Sequence, residues 1–235
     1  TMRHLFLCTL LCLLPLTVVA QTKRLVRVRD WADRVMSNDS KVRASAEAAL
    51  VKGAGRSLPL LRPFLSTDNE NLHEQTFEII RQIGPPAIPL LVQLLRHEQV
   101  SFRRFAADAL IDLAPDTKSI QPALRRALRD DDSMVVGDAA RALGALSGRA
   151  SPSVPALIKT LSHENPYVRI YAAEALASVG PKARAATNDL ARALGDPVPR
   201  VRWAAGEALA GIGPAAQSAV AQLIEALRDK FLYVR

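Results

Sequence analysis

The sequence predicts an all-α fold, an α-solenoid of stacked antiparallel helix pairs, and three observations lead to this fold class. Residues of the same character recur at intervals of 30 to 33 along the chain, which is typical of stacked helical units. Leucine pairs four residues apart recur with that period, as on the buried stripe of an amphipathic helix. Hydrophobic residues make up 49% of the chain but aromatic residues only 5%, so we expect a core of closely packed Ala, Leu and Val.

The N-terminal segment has the pattern of a secretory signal. Arg3 and His4 precede an apolar run over residues 5–20, with small residues near Val18 and Ala20. This run is shorter than the roughly 20 residues that a helix needs to cross a bilayer. We therefore expect residues 1–20 to be cleaved and the protein to be exported, to the periplasm or as a secreted protein. An uncleaved membrane anchor is the alternative.

Two further predictions concern the N-terminal part of the mature chain. Both cysteines, Cys8 and Cys12, lie inside the expected signal, so the mature chain would have neither a disulfide nor a thiol nucleophile. Residues 21–41 are predicted to form a capping helix. Its Val35 lies seven residues before the first apolar position of the first repeat, which is where a buried residue of a preceding second helix would lie. A charged face suits such a terminal unit, because its outer side is exposed to solvent.

The first helix of each repeat is marked by one apolar position. That position is occupied in turn by Val42, Leu72, Phe102, Val135, Val168, Val201 and Val234. These residues divide the chain into six repeats over residues 42–233, with residues 234–235 at the start of a seventh. We expect the chain to be part of a longer protein, and the apolar edge of its sixth repeat to cause self-association. Gly-Pro pairs such as Gly180-Pro181 are predicted to end first helices.

The second helix of each repeat carries the leucine pairs. The first leucine of the pair is Leu61, Leu91, Leu124, Leu157, Leu190 or Leu223, and the second follows four residues later. Proline stands two positions before the first leucine in four repeats, where it fits the first turn of a helix. We therefore predict six amphipathic second helices with buried leucines.

The V-R-x-x-A-A-x-A-L line, clearest in "VRIYAAEAL" from Val168, resembles HEAT-like repeats, in particular the short repeats of phycobilisome-lyase-related proteins. His73 and Val136 depart from this line where it has arginine. The resemblance implies a HEAT-like superhelix with second helices on its concave side. It also implies that a repeated arginine bridges neighbouring loops, and we expect these residues to form surface ion pairs: Arg43, Arg103, Arg169 and Arg202.

The histidines do not form a pattern that favours catalysis or metal binding. His-Glu pairs begin at His73, His97 and His163, and HEAT-like deoxyhypusine hydroxylase uses such pairs as iron ligands. Here His73 is displaced by one position from that family's pattern, and the pairs at His97 and His163 lie at the ends of second helices. The ligands would therefore not converge. The mature chain also lacks the phosphate-binding and nucleophile-elbow motifs. We predict no catalytic, cofactor-binding or metal-binding residues.

The charge distribution weighs against nucleic acid as a partner. The net charge is +8, but from residue 39 onward 25 basic residues face 21 acidic ones. A groove that follows a phosphate backbone needs a stronger basic excess. A membrane partner is expected only if the signal is retained.

The second helices contain one candidate for partner binding. Two positions after the first leucine, the three central repeats carry Arg126, Lys159 and Arg192, and Arg125 and Arg129 adjoin the first of these. We predict a scaffold that binds a protein partner with an acidic segment and has no catalysis of its own. A solvated polar face is the structural alternative. The alternative functions are a phycobilin-lyase-like enzyme or chaperone and a structural module of a longer envelope protein.

Overall fold

The computed structural model describes residues 30–113 and 120–235, and every regular element within these ranges is helical. The expected signal over residues 1–20 and the first part of the capping helix lie outside the described residues, whereas residues 30–35 are helical. The chain divides into two compact units, residues 1–87 and 88–235. Within the described ranges, no helix combines the length and apolar character that a membrane span requires.

After the helix over residues 30–35, the described part of the first unit continues with α1 Ser40–Gly53, α2 Leu58–Leu61 and α3 Glu70–Ile83, of which α1 packs against α3. Asp39 and Asn69 cap α1 and α3, because their side-chain oxygens accept backbone N–H groups of the first turn. The predicted continuous second helix through Leu61 and Leu65 is wrong. It breaks into α2 and a 3-10 segment, Arg62–Ser66, because Pro63 has no N–H to donate within a helix.

The second unit is an all-α solenoid in which two kinds of helix alternate. Its first helices are α5 Val100–Leu113, α7 Ser133–Ala145, α9 Pro166–Val179 and α11 Pro199–Ile212. Its second helices are α4 Ile88–Leu94, α6 Gln121–Ala127, α8 Val154–Thr160, α10 Thr187–Ala193 and α12 Val220–Ala226. Successive first helices pack against one another, and each of α4, α6, α8 and α10 packs against the first helix that follows it.

Glycines end two first helices of this unit as the sequence predicts. Gly180 and Gly213 have φ angles of 67° and 70°, in a region that residues with a Cβ atom rarely adopt. A proline follows each glycine, and the 3-10 segments Gly180–Ala186 and Gly213–Ala219 then lead into α10 and α12. The sharp reversal brings the second helix back beside the first-helix stack.

The core of the second unit consists of the predicted apolar positions. Val168, Ala172 and Leu176 on α9 are at most 1% exposed. The first leucines of α4, α6, α8 and α10 are completely buried. The predicted burial fails in α12, where Leu223 is only partly buried and Leu227 is 60% exposed. Second-helix leucines are buried by the following first helix, and no first helix follows α12 among the described residues.

Candidate partner-binding surface

The predicted basic residues lie on consecutive second helices of the second unit. Arg126 on α6, Lys159 on α8 and Arg192 on α10 occupy equivalent positions, and all three side chains are exposed. We call these three residues the basic row. Arg129, which follows α6, is also exposed. The helical period places the buried leucines on one side of each helix and leaves the basic row on the other.

Local partners reduce the number of charges that this surface offers. Arg125 is half-buried, and its Nη1 donates a hydrogen bond of 3.2 Å to the carbonyl oxygen of Pro152, so it is tied to the segment before α8. Arg192 forms an ion pair with Asp189 one turn earlier on α10. The positive charge of the surface is therefore concentrated at Arg126, Arg129 and Lys159.

The repeated arginine of the first helices connects neighbouring loops, as the resemblance implied. The Nε and Nη2 groups of Arg169 donate to both carboxylate oxygens of Asp196, at 2.8 and 2.9 Å. Its Nη1 donates to the carbonyl oxygens of His163 and Glu164, both at 2.9 Å. One side chain thus joins the loop before its own helix to the loop that follows the next second helix. The same arrangement links Arg103 to Asp130 and Arg202 to Asp229.

These ion pairs are not surface pairs, contrary to the expectation. The three arginine side chains are only 11% to 18% exposed, because the loops enclose the guanidinium groups. The hydrogen bond with Asp229 is the main reason why the pKa of Arg202 rises above its ordinary value, and the same bond lowers the pKa of Asp229. The arginines are therefore structural, and their charge is satisfied inside the protein.

The carboxylate partners of these arginines are not among the predicted residues, although the sequence contains a signal for them. Asp130, Asp196 and Asp229 each stand 27 residues after their arginine. Where Val136 replaces the arginine, position 163 holds histidine, so both members of that pair differ together. The Nδ1 atom of His163 instead accepts the backbone N–H of Asn165 at 3.0 Å.

The histidines of two His-Glu pairs, His97 and His163, make local structural contacts. His97 stacks on Phe102 with ring centroids 4.1 Å apart, and its Nδ1 accepts the N–H of Gln99. His97 and His163 therefore have the same structural task at the turn before a first helix. In the part of the chain that the structure describes, no group of three or more acidic, histidine or cysteine side chains is arranged to hold a metal ion.

A separate ion pair joins α5 to the start of α7. Arg104 Nε donates to Asp132 Oδ1 at 2.9 Å, and the same oxygen accepts the N–H groups of Met134 and Val135 as the N-cap of α7. The hydrogen bond from Arg104 is the main reason why the pKa of Asp132 lies below its ordinary value of 3.8. Folding therefore stabilises the ionised form of the Asp132 carboxyl group.

We expect the substitution Asp132→Asn to destabilise the protein near neutral pH but not in acid. A carboxylate with a lowered folded-state pKa contributes stability above its unfolded-state pKa, and this contribution is lost as the pH falls through the folded-state pKa. Asparagine keeps the N-cap but not the ion pair. Urea unfolding measured from about pH 7 to about pH 2 should show that the difference in free energy of unfolding between the unmodified protein and the variant disappears in acid.

The control for this experiment is Asp39→Asn, at the N-cap of α1, where the carboxylate accepts the N–H groups of Lys41 and Val42. This substitution should produce a smaller pH-dependent difference. If Asp132→Asn destabilised the protein equally at both ends of the pH range, the ion pair with Arg104 would not contribute to the pH dependence of the stability.

Comparisons with known proteins agree with this architecture. A family model described as HEAT repeats matches residues 88–154 and 154–235. No curated protein matches the chain.

Several solved structures have a similar fold. One engineered protein superimposes with a TM-score of 0.58 at 24% identity; the match covers 88% of this chain but only 65% of that one. A second engineered protein gives a TM-score of 0.52 at 22% identity over 88% of this chain and 92% of its own. A designed armadillo repeat protein in complex with the peptide (KR)4 gives 0.53 at 16% identity, over 88% and 94%. At these identities the likeness concerns the fold alone.

Proposed function

Because the chain belongs to the HEAT-repeat family, we propose that it is a scaffold that binds a protein partner through the exposed side of its second helices. Such repeats stack into an extended surface on which equivalent positions of neighbouring repeats form a row. The observation that carries the proposal is the exposure of Arg126, Lys159 and Arg192 at equivalent positions of three consecutive helices. The family match leaves the phycobilisome-lyase subtype a prediction.

The chemistry of the basic row favours an acidic segment as its ligand. Packed helices lie about 8–10 Å apart, so an extended chain with several carboxylates can contact more than one basic side chain at once. Exposed charges of this kind accelerate association and make it sensitive to salt. Arg192 contributes less than Lys159, because Asp189 already pairs with it.

Reversal of the basic row provides the test of this function. We expect the triple variant Arg126→Glu, Lys159→Glu and Arg192→Glu to abolish binding of a fluorescein-labelled polyglutamate peptide, measured by fluorescence anisotropy at low salt. The helical circular dichroism signal and the melting temperature should stay nearly unchanged, because the three side chains are exposed. Added salt should weaken binding to the unmodified protein.

A matched control separates the row from general charge. Arg149, Lys182 and Arg184 are exposed basic residues of the connecting segments, and their replacement by glutamate changes the net charge by the same amount. This control should retain most of the binding. Equal losses in both triple variants, or full binding by the row variant, would exclude the basic row as the site.

We extend the proposal to location and chemistry: the mature scaffold is exported, to the periplasm or medium, and has no catalysis of its own. The basic start and the apolar run of residues 5–20 support export. We expect mass spectrometry of protein expressed with its own leader to find Gln21 at the N-terminus. A retained leader in the membrane fraction would instead indicate an anchored protein.

A further inference from the structure

The exposed apolar side chains in the middle of the second unit lie at one cavity. Of the residues that the structure describes between positions 101 and 219, Met134 and Tyr167 are the only exposed large apolar side chains, at 57% and 67% exposure. Each is the second residue of its helix, α7 or α9. Both line a cavity of about 530 Å³ among α5, α7 and α9, together with Phe105 and Tyr171. Exposed apolar side chains that form a patch mark interaction sites, whereas single ones do not.

Gly137 on α7 shapes the wall of this cavity. The other first helices of this unit carry a side chain at the equivalent position, namely Arg104, Ile170 and Trp203. A Cβ atom at position 137 would lie 3.2 Å from Cδ2 of Tyr171, whose ring lines the cavity. The glycine therefore lets this ring lie close to the backbone of α7, and no side chain from position 137 enters the space beside it.

The charged groups that line the cavity are balanced and already engaged. They are two guanidinium groups and two carboxylates, Arg104, Arg141, Asp108 and Asp138. Arg104 is paired with Asp132, and Arg141 is bonded to Asp138 at 3.2 Å. Asp108 makes an interaction as well. A charged ligand would therefore lose hydration in the cavity without gaining an unpaired counter-ion from the residues that line it.

The surroundings of Asp138 agree with a wall that is partly withdrawn from water. Burial is the main reason why the pKa of Asp138 lies above its ordinary value, despite the hydrogen bond from Arg141. The guanidinium group of Arg141 also lies over the ring of Tyr171, 5.3 Å from its centroid, so two contacts hold this cation at the wall. Apolar surface with satisfied polar groups around it is typical of the centre of a protein interface.

We propose that this cavity binds a large apolar side chain from a protein partner. That side chain would pack against Phe105 and Tyr171, and the exposed Met134 and Tyr167 would lose contact with water when it enters. The burial of this apolar surface would drive association. Because the charges at the wall are balanced, binding should depend little on salt. This surface belongs to the first helices, and its ligand differs in chemistry from that of the basic row.

A titration followed by nuclear magnetic resonance on the isotope-labelled protein tests this inference. The probe is a blocked tripeptide with norleucine between two alanines, and its counterpart contains lysine, which has the same aliphatic stem with a charge at its end. We expect the norleucine probe to shift the amide signals of Gly137, Tyr167 and Tyr171. The lysine probe should bind at least several-fold more weakly. Equal or tighter binding of the lysine probe, or no shifts at Gly137, would overturn the proposal.

Substitutions of the exposed side chains locate the binding site. Tyr167→Ala and Met134→Ala should each weaken binding of the norleucine probe several-fold and leave the melting temperature nearly unchanged, because both side chains are exposed. The matched control is Tyr233→Ala, since Tyr233 is 52% exposed at the equivalent position, one residue before Val234. It should leave the shifts at Gly137 unchanged. Equal losses from Tyr167→Ala and Tyr233→Ala would contradict binding at this cavity.

Two further measurements separate this surface from the basic row and from self-association. Reversal of the basic row should leave binding of the norleucine probe unchanged, so the two proposals succeed or fail independently. Added salt should weaken polyglutamate binding but not norleucine binding. If the signal of Gly137 shifted with rising protein concentration alone, a second copy of the chain would occupy the cavity, and the proposed partner would be wrong.

Discussion

Replacement of Leu157 by alanine is expected to lower the free energy of unfolding by about 2–5 kcal/mol. Leu157 is completely buried on α8, which packs against α9. Truncation removes apolar contacts and leaves a cavity that a rigid helix pair can fill only in part. Urea unfolding followed by circular dichroism measures the loss.

Two controls distinguish this burial from a general sensitivity of the helices. Lys159→Ala changes an exposed residue of the same helix and should stay within about 0.5 kcal/mol. Leu223→Ala removes the same atoms at the equivalent position of α12, where the side chain is only partly buried, and should cost less than Leu157→Ala. Equal losses at Leu157 and Lys159 would show that the assigned helix faces are wrong.

Removal of the Arg169 side chain is expected to cost about 1.5–3 kcal/mol, the range for hydrogen bonds made by charged groups. Arg169→Ala eliminates the bonds to Asp196 and to two backbone carbonyl groups. Arg169→Lys should restore only part of the stability, because an ammonium group cannot donate in the forked geometry of a guanidinium. Urea unfolding again provides the measurement.

A double-mutant cycle with Asp196→Asn isolates the ion pair from the carbonyl bonds. The combined loss should be smaller than the sum of the single losses, because both substitutions break the same contact. Arg192→Ala is the matched control. Its side chain is 74% exposed in a pair within one helix, so it should change stability by no more than about 0.5 kcal/mol. Strict additivity at Arg169 and Asp196 would contradict the proposed connection between loops.

The sequence predicted the individual helices well because their signals are local. Asp39 and Asn69 cap first helices through their own backbone neighbours, and Gly180 ends one through its own φ angle. The HEAT-like repeat and the all-α solenoid class are also confirmed. A pattern that recurs along the chain is more informative about the fold than a single copy. Pro63 is itself a local signal for the break between Leu61 and Leu65, because proline has no N–H to donate within a helix.

Only some features of the candidate surface could be predicted from the sequence, because some depend on local contacts and others on long-range contacts. The helical period was sufficient to predict that Arg126, Lys159 and Arg192 lie away from the buried leucines. It could not show that Arg125 bonds to Pro152 in the next repeat, since that contact depends on where another segment lies. Whether the basic row binds an acidic segment stays a prediction.

The repeating unit follows from the sequence alone: its helices, the glycines such as Gly180 that end first helices, and the face that each helix buries. These features depend on residues within a few positions of one another, and the helical period relates them directly. How much each face is buried, as the exposed Leu227 shows, and which residues of separate repeats meet depend on the tertiary structure. The partner of Arg169 and the contact of Arg125 with Pro152 are of this second kind. Each requires residues 27 positions apart to meet, and the stacking of the repeats determines their distance.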